Sequence, residues 1–265
     1  MKINGKHYYT VWMDKECRVY MIHQNELPFR FSIFESSNYK TTSWAIKEMV
    51  VRGAGAIGIT AGFAMAQVFH EYKTNNLNNN FIEEAKMHIA QTRPTARNLF
   101  YAVDEVYSAG IEGGYTGAVN RAQELFQEDL EMCKAIGEYG NSLIGSKSRI
   151  LTHCNAGWLA TIDYGTATAP VYLAHDKGIP LHVWVDETRP RNQGSRLTAW
   201  ELGQNGIRHS LITDNTGGYL MQKKMVDVVM VGSDRTTSTG DVANKIGTYL
   251  KALAAHDNNI PFYVL

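Results

Sequence analysis

Apolar residues recur along this chain in two rhythms, and the change from one to the other divides it. His7 to Trp12 and Arg18 to His23 are rich in Tyr, Val and Ile and flank the polar turn Asp14-Lys15-Glu16, which predicts a small β-hairpin. Helical spacing takes over next. Ala45, Ile46, Met49 and Val50 share one face, a second apolar helix is predicted from Ile57 to Tyr72, and three more at 81–91, 95–109 and 116–143. Asn75 to Asn80 reads as a solvated polar connector.

From Arg149 onward short apolar runs alternate with helical patterns. Ile150 to His153, Leu181 to Val185, His209 to Thr213, Val226 to Val231 and Pro261 to Leu265 predict buried strands, with helices near 164–177, 196–205, 216–224 and 242–256. That alternation is the βαβ grammar of a parallel, doubly wound sheet, which takes ligands in the crevice beyond the carboxyl ends of its strands. The expected fold class is therefore α/β, with a mainly helical N-terminal domain carrying the hairpin over 1–145 and a parallel-sheet domain over 146–265. The chain stops inside the apolar run Pro261-Phe262-Tyr263-Val264-Leu265 with nothing to cover that strand's flank, so a further C-terminal portion is expected.

Composition narrows the partners. With 265 residues, 44% hydrophobic and 20% charged, the chain has material for one large or two smaller cores. Its 26 Lys and Arg balance 26 Asp and Glu, leaving no global positive field to collect nucleic acid or an anionic membrane, so an anionic ligand must be held locally. Met1 to Trp12 carries charge and hydroxyls where a signal peptide needs an apolar run, and no eighteen apolar residues follow one another, which predicts a cytoplasmic protein. The cysteines Cys17, Cys133 and Cys154 are widely spaced and never form Cys-x-x-Cys, which argues against a disulfide framework and a structural zinc site.

Four clusters carry candidate chemistry. Arg52-Gly53-Ala54-Gly55-Ala56-Ile57-Gly58 contains a literal Gly-x-Gly-x-x-Gly, but a helical pattern precedes it and no acidic residue stands at the required distance after it, so a dinucleotide site is not expected. Its small residues would instead let backbone N–H groups approach a phosphate at a helix start, with Arg52 as a bidentate donor. Close helix packing explains the glycines equally well, and the sequence leaves both readings open. In Arg93-Pro94-Thr95-Ala96-Arg97, Pro94 suits a first helical turn and Arg93 stands just outside it, within reach of the same anion; Arg97 reads as a surface cation.

The other clusters follow predicted strand ends. After Thr152-His153, Cys154 opens the turn Asn155-Ala156-Gly157; strand alternation sends His153 to the opposite face, so a cation or a helix N-terminus would have to activate the thiol. A lone cysteine is more often a small buried hydrophobe. Asp186 to Gly194 is too polar to continue its strand, and there Gln193 suits sugar hydroxyls. In Gly232-Ser233-Asp234-Arg235, Asp234 is placed as a general acid or base if burial raises its pKa. Asp241 matches a helix N-cap, while Asn244 and Lys245 are read in that helix's first turn, where a cation is unfavourable unless a ligand anion offsets it.

The segments VRGAGAIG, QTRPTARNLF, ILTHCNAG, YGTA, VDETRPRNQGSRLTAWEL, LITDN, VGSDR, GDVANKIGTY and IPFYV, in that order, resemble the signature blocks of the S-methyl-5-thioribose-1-phosphate isomerase family. The resemblance runs from about residue 45 to the end. It implies a helical N-terminal domain, a Rossmann-like C-terminal domain, a homodimer, and no metal or organic cofactor. It makes Cys154 and Asp234 the catalytic pair, and Arg52, Gly53, Ala54, Arg93, Gln193, Asn244 and Lys245 the substrate contacts. The implied reaction isomerises a 5-substituted ribose 1-phosphate to the ribulose 1-phosphate in methionine salvage. Gly55 replaces the family's usual proline, Ser233 its alanine and Thr239 its asparagine, which leaves 5-deoxyribose 1-phosphate and ribose 1,5-bisphosphate as alternative substrates. A non-catalytic sugar-phosphate-binding protein similar to the regulatory subunits of translation initiation factor 2B is the competing class, against which Cys154 and Asp234 together argue.

Overall fold

Two small antiparallel sheets precede the helices. In the computed structural model, which describes residues 1–78 and 80–265, β1 (Lys2–Ile3) pairs with β2 (Lys6–His7), and β3 (Val11–Met13), β4 (Val19–Ile22) and β5 (Ile33–Ser36) form a second sheet in that order. The predicted hairpin is β3–β4. Asp14 closes its turn by accepting the backbone N–H groups of Glu16 and Arg18, both at 2.9 Å. The pair β1–β2 is too short to announce itself by alternation; neither it nor β5 is among the expected elements. Part of the connector read at 75–80, position 79, lies outside the described residues.

The helices α1 (Tyr39–Lys47), α2 (Ala54–Asn75), α3 (Asn80–Ala90) and α4 (Arg97–Asn141) follow. Asn38 caps α1 with its side chain, accepting the Thr41 N–H at 2.9 Å. From Ala56 to Phe69 every position of α2 is buried, as expected for a helix that is apolar all round. Its Phe63 and Met65 share a core with Val19 and Met21 of β4 and with Leu99, Val103 and Val106 of α4. The one long polar side chain in that stretch, Gln67, is satisfied: its amide donates to the carbonyls of Cys17 and Ser36 at 2.9 and 3.0 Å, and its oxygen accepts Thr42 at 2.6 Å. The two helices predicted at 95–109 and 116–143 are the arms of α4, separated at Gly114, whose φ of 60° and ψ of −153° are not helical.

The second half alternates as expected. It comprises β6 (Ser148–His153), α5 (Ala169–Asp176), β7 (Leu181–Asp186), α6 (Ala199–Gln204), β8 (His209–Ile212), α7 (Thr216–Gln222), β9 (Val228–Val231), the hairpin strands β10 (Arg235–Thr236) and β11 (Val242–Ala243), α8 (Thr248–Asp257) and β12 (Phe262–Val264). The five-stranded sheet is parallel throughout, in the order β12-β9-β6-β7-β8. The chain winds from β6 outward to β8 and then returns to the other flank of β6, so the switch point lies between β6 and β9. The helix expected at 242–256 starts only at Thr248, because Val242 and Ala243 are spent on pairing with β10.

By compactness the chain divides into a helical unit, Tyr9–Glu131 with Ala160–Asp163, and a sheet unit, Met1–Tyr8 with Met132–Leu159 and Tyr164–Leu265. Among the described residues no helix is long and apolar enough to cross a membrane.

Among the described residues, nothing beyond the adjoining backbone lies within 4 Å of where a Cβ would stand on Gly113 or Gly114, so alanine at these sites acts through the backbone alone. Gly113→Ala, inside the helix, is expected to stabilise by about 0.4–1 kcal/mol. Gly114→Ala must hold a positive φ and is expected to destabilise by about 1–3 kcal/mol, with urea unfolding midpoints as the measurement.

Candidate active site

The site is built where β6 ends. Cys154, one residue past the strand, has a φ of 66°, so the chain turns sharply out of the sheet at a residue that is not glycine. Thr198 fixes that turn, its hydroxyl donating to the Cys154 carbonyl at 2.6 Å. Glu201 of α6, fully buried, holds the rest of the loop. It accepts the Asn155 side-chain amide at 2.9 Å, the Leu159 N–H at 3.1 Å and the Tyr172 hydroxyl at 3.1 Å. Gly157 is required here, because a Cβ would stand 1.8 Å from Oε2 of Glu201. Burial drives the Glu201 carboxyl up to about 7, against the four hydrogen bonds from Asn155, Leu159, Tyr172 and Trp158 that favour its ionised form.

Two of the predicted motifs are the arms of one hairpin. Beyond β9, Asp234 donates its N–H to the Ala243 carbonyl at 3.0 Å, and Arg235 pairs with Ala243, so Asp234 and the Asn244-Lys245 segment emerge side by side. Both charges act on Cys154. Burial pushes the thiol above its ordinary range, the Asn155 N–H, the Lys245 ammonium and the Thr188 hydroxyl pull it down, and the Asp234 carboxylate pushes it up. Burial wins. The thiol is held protonated, although Cys154 is partly open to solvent whereas Cys17 and Cys133 are buried.

Strand geometry explains the convergence, since Cys154 follows β6 and Asp234 follows β9, the two strands flanking the switch point. Gln193 follows β7, with its Oε1 shielded from solvent and without a hydrogen-bond partner among the described residues. It leads into a π-helical turn, Gly194–Thr198, at which Gly194 lies so close to Asp186 that a Cβ would meet its carbonyl oxygen at 2.5 Å.

Arg52, Gly53, Ala54 and Arg93 belong to the helical unit. Gly53 caps α2 with a φ of 93° and packs on Ala160, where a Cβ would stand 2.3 Å from the Ala160 Cα. Glycine is therefore needed at 53 for conformation and for contact. Arg52 is buried and donates to the Gln24 carbonyl at 3.1 Å. Gly55 faces Asp129, whose Oδ1 would be 2.7 Å from a Cβ, and whose carboxyl burial raises to about 6. A helix and a turn precede these glycines, and no strand does, so the local setting of a dinucleotide fingerprint is absent.

Several expectations are corrected. Asp234 is exposed, so the burial on which its acid–base reading is conditioned is not met. Asn244 and Lys245 precede α8 instead of opening it, and the N-cap of that helix is Gly247; Asp241 instead sits in the β10–β11 connection, accepting the Thr239 hydroxyl at 2.8 Å. Pro94 precedes α4 by three residues, and Arg93 accepts the Ala96 N–H across that turn at 3.0 Å. Glu201, Thr188 and Thr198 were missed. Glu201 had a legible signal, an acid flanked by Trp200 and Leu202 on a helix, since a carboxylate placed among apolar neighbours needs partners.

Residues 50–265 match the model of the initiation factor 2 subunit family. The chain belongs to that family. Within it, the chain is 50% identical over 279 residues to the methylthioribose-1-phosphate isomerase of Methylocella silvestris, covering 100% of this chain and 75% of the relative. It is 51% identical over 276 residues to the enzyme of the same name from Paramagnetospirillum magneticum, again with 100% and 75% covered. The crystal structure of 5-methylthioribose 1-phosphate isomerase from Pyrococcus horikoshii OT3 superposes with a TM-score of 0.90 at 39% identity, over 98% of this chain and 75% of that one. Subunit delta of the translation initiation factor eIF-2B from A. fulgidus gives 0.84, also at 39%, over 97% and 77%.

The buried carboxyl behind this family member's loop makes a pH signature. A carboxyl raised from 4.5 to about 7 favours the folded state while protonated, so its contribution is complete below about pH 4.5 and is lost as pH rises through 7. The loss is on the order of 3 kcal/mol. The thermal midpoint is expected to fall between pH 5 and 8, and Glu201→Gln to flatten that fall; calorimetry across this range checks it.

Proposed function

We propose that this chain is a methylthioribose-1-phosphate isomerase, an intramolecular oxidoreductase that converts S-methyl-5-thioribose 1-phosphate into the corresponding ribulose 1-phosphate. The observation that supports the reading is that the charges of Asp234 and Lys245 both act on the Cys154 thiol, in a chain half-identical to isomerases of that name.

Phosphate on the anomeric oxygen prevents the ring from opening as a free sugar does, so the enzyme must break the bond between C1 and the ring oxygen. The balance is one proton delivered to the ring oxygen, one removed from the hydroxyl on C2, and one hydrogen moved from C2 to C1. This needs one acid and one base at the same ring. Cys154 enters protonated, which suits delivery to the ring oxygen, and the Asp234 carboxylate suits removal. The partnerless Gln193 oxygen is suited to a sugar hydroxyl, and Asn244 and Lys245 to the polar edge of the substrate. Arg52, Gly53, Ala54 and Arg93 are the candidate phosphate contacts: the long helix α2 begins at Ala54, and the first N–H groups of a helix have no partner within it. A homodimer in the cytoplasm completes the reading, on the strength of the family resemblance.

Cys154→Ser and Asp234→Asn are each expected to lower kcat by about 10²–10⁴-fold with the fold intact, and wild-type kcat/KM to fall at alkaline pH above the ordinary thiol range. Arg52→Ala and Lys245→Ala should chiefly raise KM, by the about 1.5–3 kcal/mol of a lost charged hydrogen bond. A panel of 1-phosphorylated pentoses differing at C5 tests the substrate, with the methylthio compound expected to be turned over most efficiently; full activity of both the Ser and Asn variants rules the assignment out.

A further inference from the structure

A second buried carboxylate sits on the other side of β6. Asp186 ends β7 in register with His153, and both are buried. Its Oδ2 receives two donors, His153 Nδ1 at 2.7 Å and Lys251 Nζ of α8 at 2.8 Å, while Oδ1 has no partner among the described residues. Lys251 also donates to the Asp214 carbonyl. The other nitrogen of the His153 ring, Nε2, lies 2.8 Å from the carbonyl oxygen of Ile246. Gly247 rests on the same ring, and a Cβ there would be 2.9 Å from Nε2.

Neutral imidazole has one N–H, yet both nitrogens of this ring face acceptors. The Lys251 ammonium on Oδ2 keeps that oxygen an acceptor, so His153 must donate from both sides. The group is then an imidazolium and an ammonium sharing one carboxylate. Among the described residues, the charged side chains of this group are Asp186 of β7, which touches the ring, and Lys251 of α8, which touches Asp186.

We infer that His153 is a positioning residue for the Asn244–Gly247 turn, doubly protonated and clamping the Ile246 carbonyl to the sheet so that Lys245 is held within electrostatic reach of Cys154. The Ile246 side chain is 80% exposed, so its own packing does not anchor the turn. Thus the two faces of β6 cooperate. Cys154 is carried just beyond the strand's end, and the preceding residue, His153, fixes the cation that acts on it. Of the two charges on the thiol, Lys245 exerts the larger effect and Asp234 the smaller, so loosening the whole hairpin raises the thiol pKa further.

The test uses the whole chain and two isosteres. A glutamine amide stands where Nε2 does and can still donate to Ile246; an asparagine amide stands where Nδ1 does and cannot. The rate of Cys154 alkylation by iodoacetamide, followed by mass spectrometry at fixed pH, is expected to fall about three-fold in His153→Asn, because a thiol that has lost its cation is ionised less. It should stay within about two-fold of wild type in His153→Gln. In ¹⁵N NMR of histidine-labelled wild type at neutral pH, both ring nitrogens of His153, assigned by the loss of their signals in His153→Gln, are expected to carry protons. Equal alkylation in all three proteins, equal loss in both variants, or a single protonated nitrogen overturns the inference, and the wild-type spectrum decides it if a variant does not fold. A rise of about ten-fold in KM for S-methyl-5-thioribose 1-phosphate in His153→Asn, recovered in His153→Gln, is the further expectation; it rests on the proposed function. The alkylation and NMR arms need no substrate, so inactive wild type with both arms as expected removes the isomerase reading and leaves the clamp standing.

Discussion

The end of β6 is pinned between two buried carboxylates, and the geometry of the site depends on both. Glu201 accepts donors from the loop that follows the strand, and Asp186 accepts His153, the strand's last residue. A carboxylate removed from water is costly unless donors surround it, and here the donors come from segments distant in sequence. Each therefore satisfies itself only when the loops around the switch point are in place. The same requirement that makes these groups expensive makes them specific.

A consequence is that Cys154 has almost no freedom. Its carbonyl is bound by Thr198 and the next side chain by Glu201, and its backbone is held at a positive φ that few residues adopt unaided. Its chemistry is set by competition: burial holds the proton on the thiol, and Lys245 on an exposed hairpin moderates that hold. The acid is thus on a rigid strand end and the charges that tune it stand at the base of a two-stranded arm, where Asp234 bonds to Ala243, two residues before Lys245.

Much of the fold was legible because periodicity reports burial directly. The five apolar runs after Arg149 became the five strands of the sheet, and the break between the helices predicted at 95–109 and 116–143 became the kink at Gly114. Boundaries were less legible where local propensity and tertiary pairing compete. Val242 and Ala243 satisfy a helical pattern, yet they pair with β10, and this moves Asn244 and Lys245 out of the helix into a turn. The exposure of Asp234 has the same origin, since the hairpin lifts that residue into solvent.

The sequence by itself determined the strands, their alternation with helices, and the polar clusters at their carboxyl ends, because hydrophobic spacing and turn chemistry are local properties of the chain. Tertiary structure alone decided the strand order, which sets Cys154 and Asp234 at the one switch point, and it alone chose the partners of Glu201, Asp186 and His153. Those choices are long-range: a carboxylate's partners are whichever donors the completed packing brings within hydrogen-bond reach, and nothing in the neighbouring residues of the chain encodes that distance.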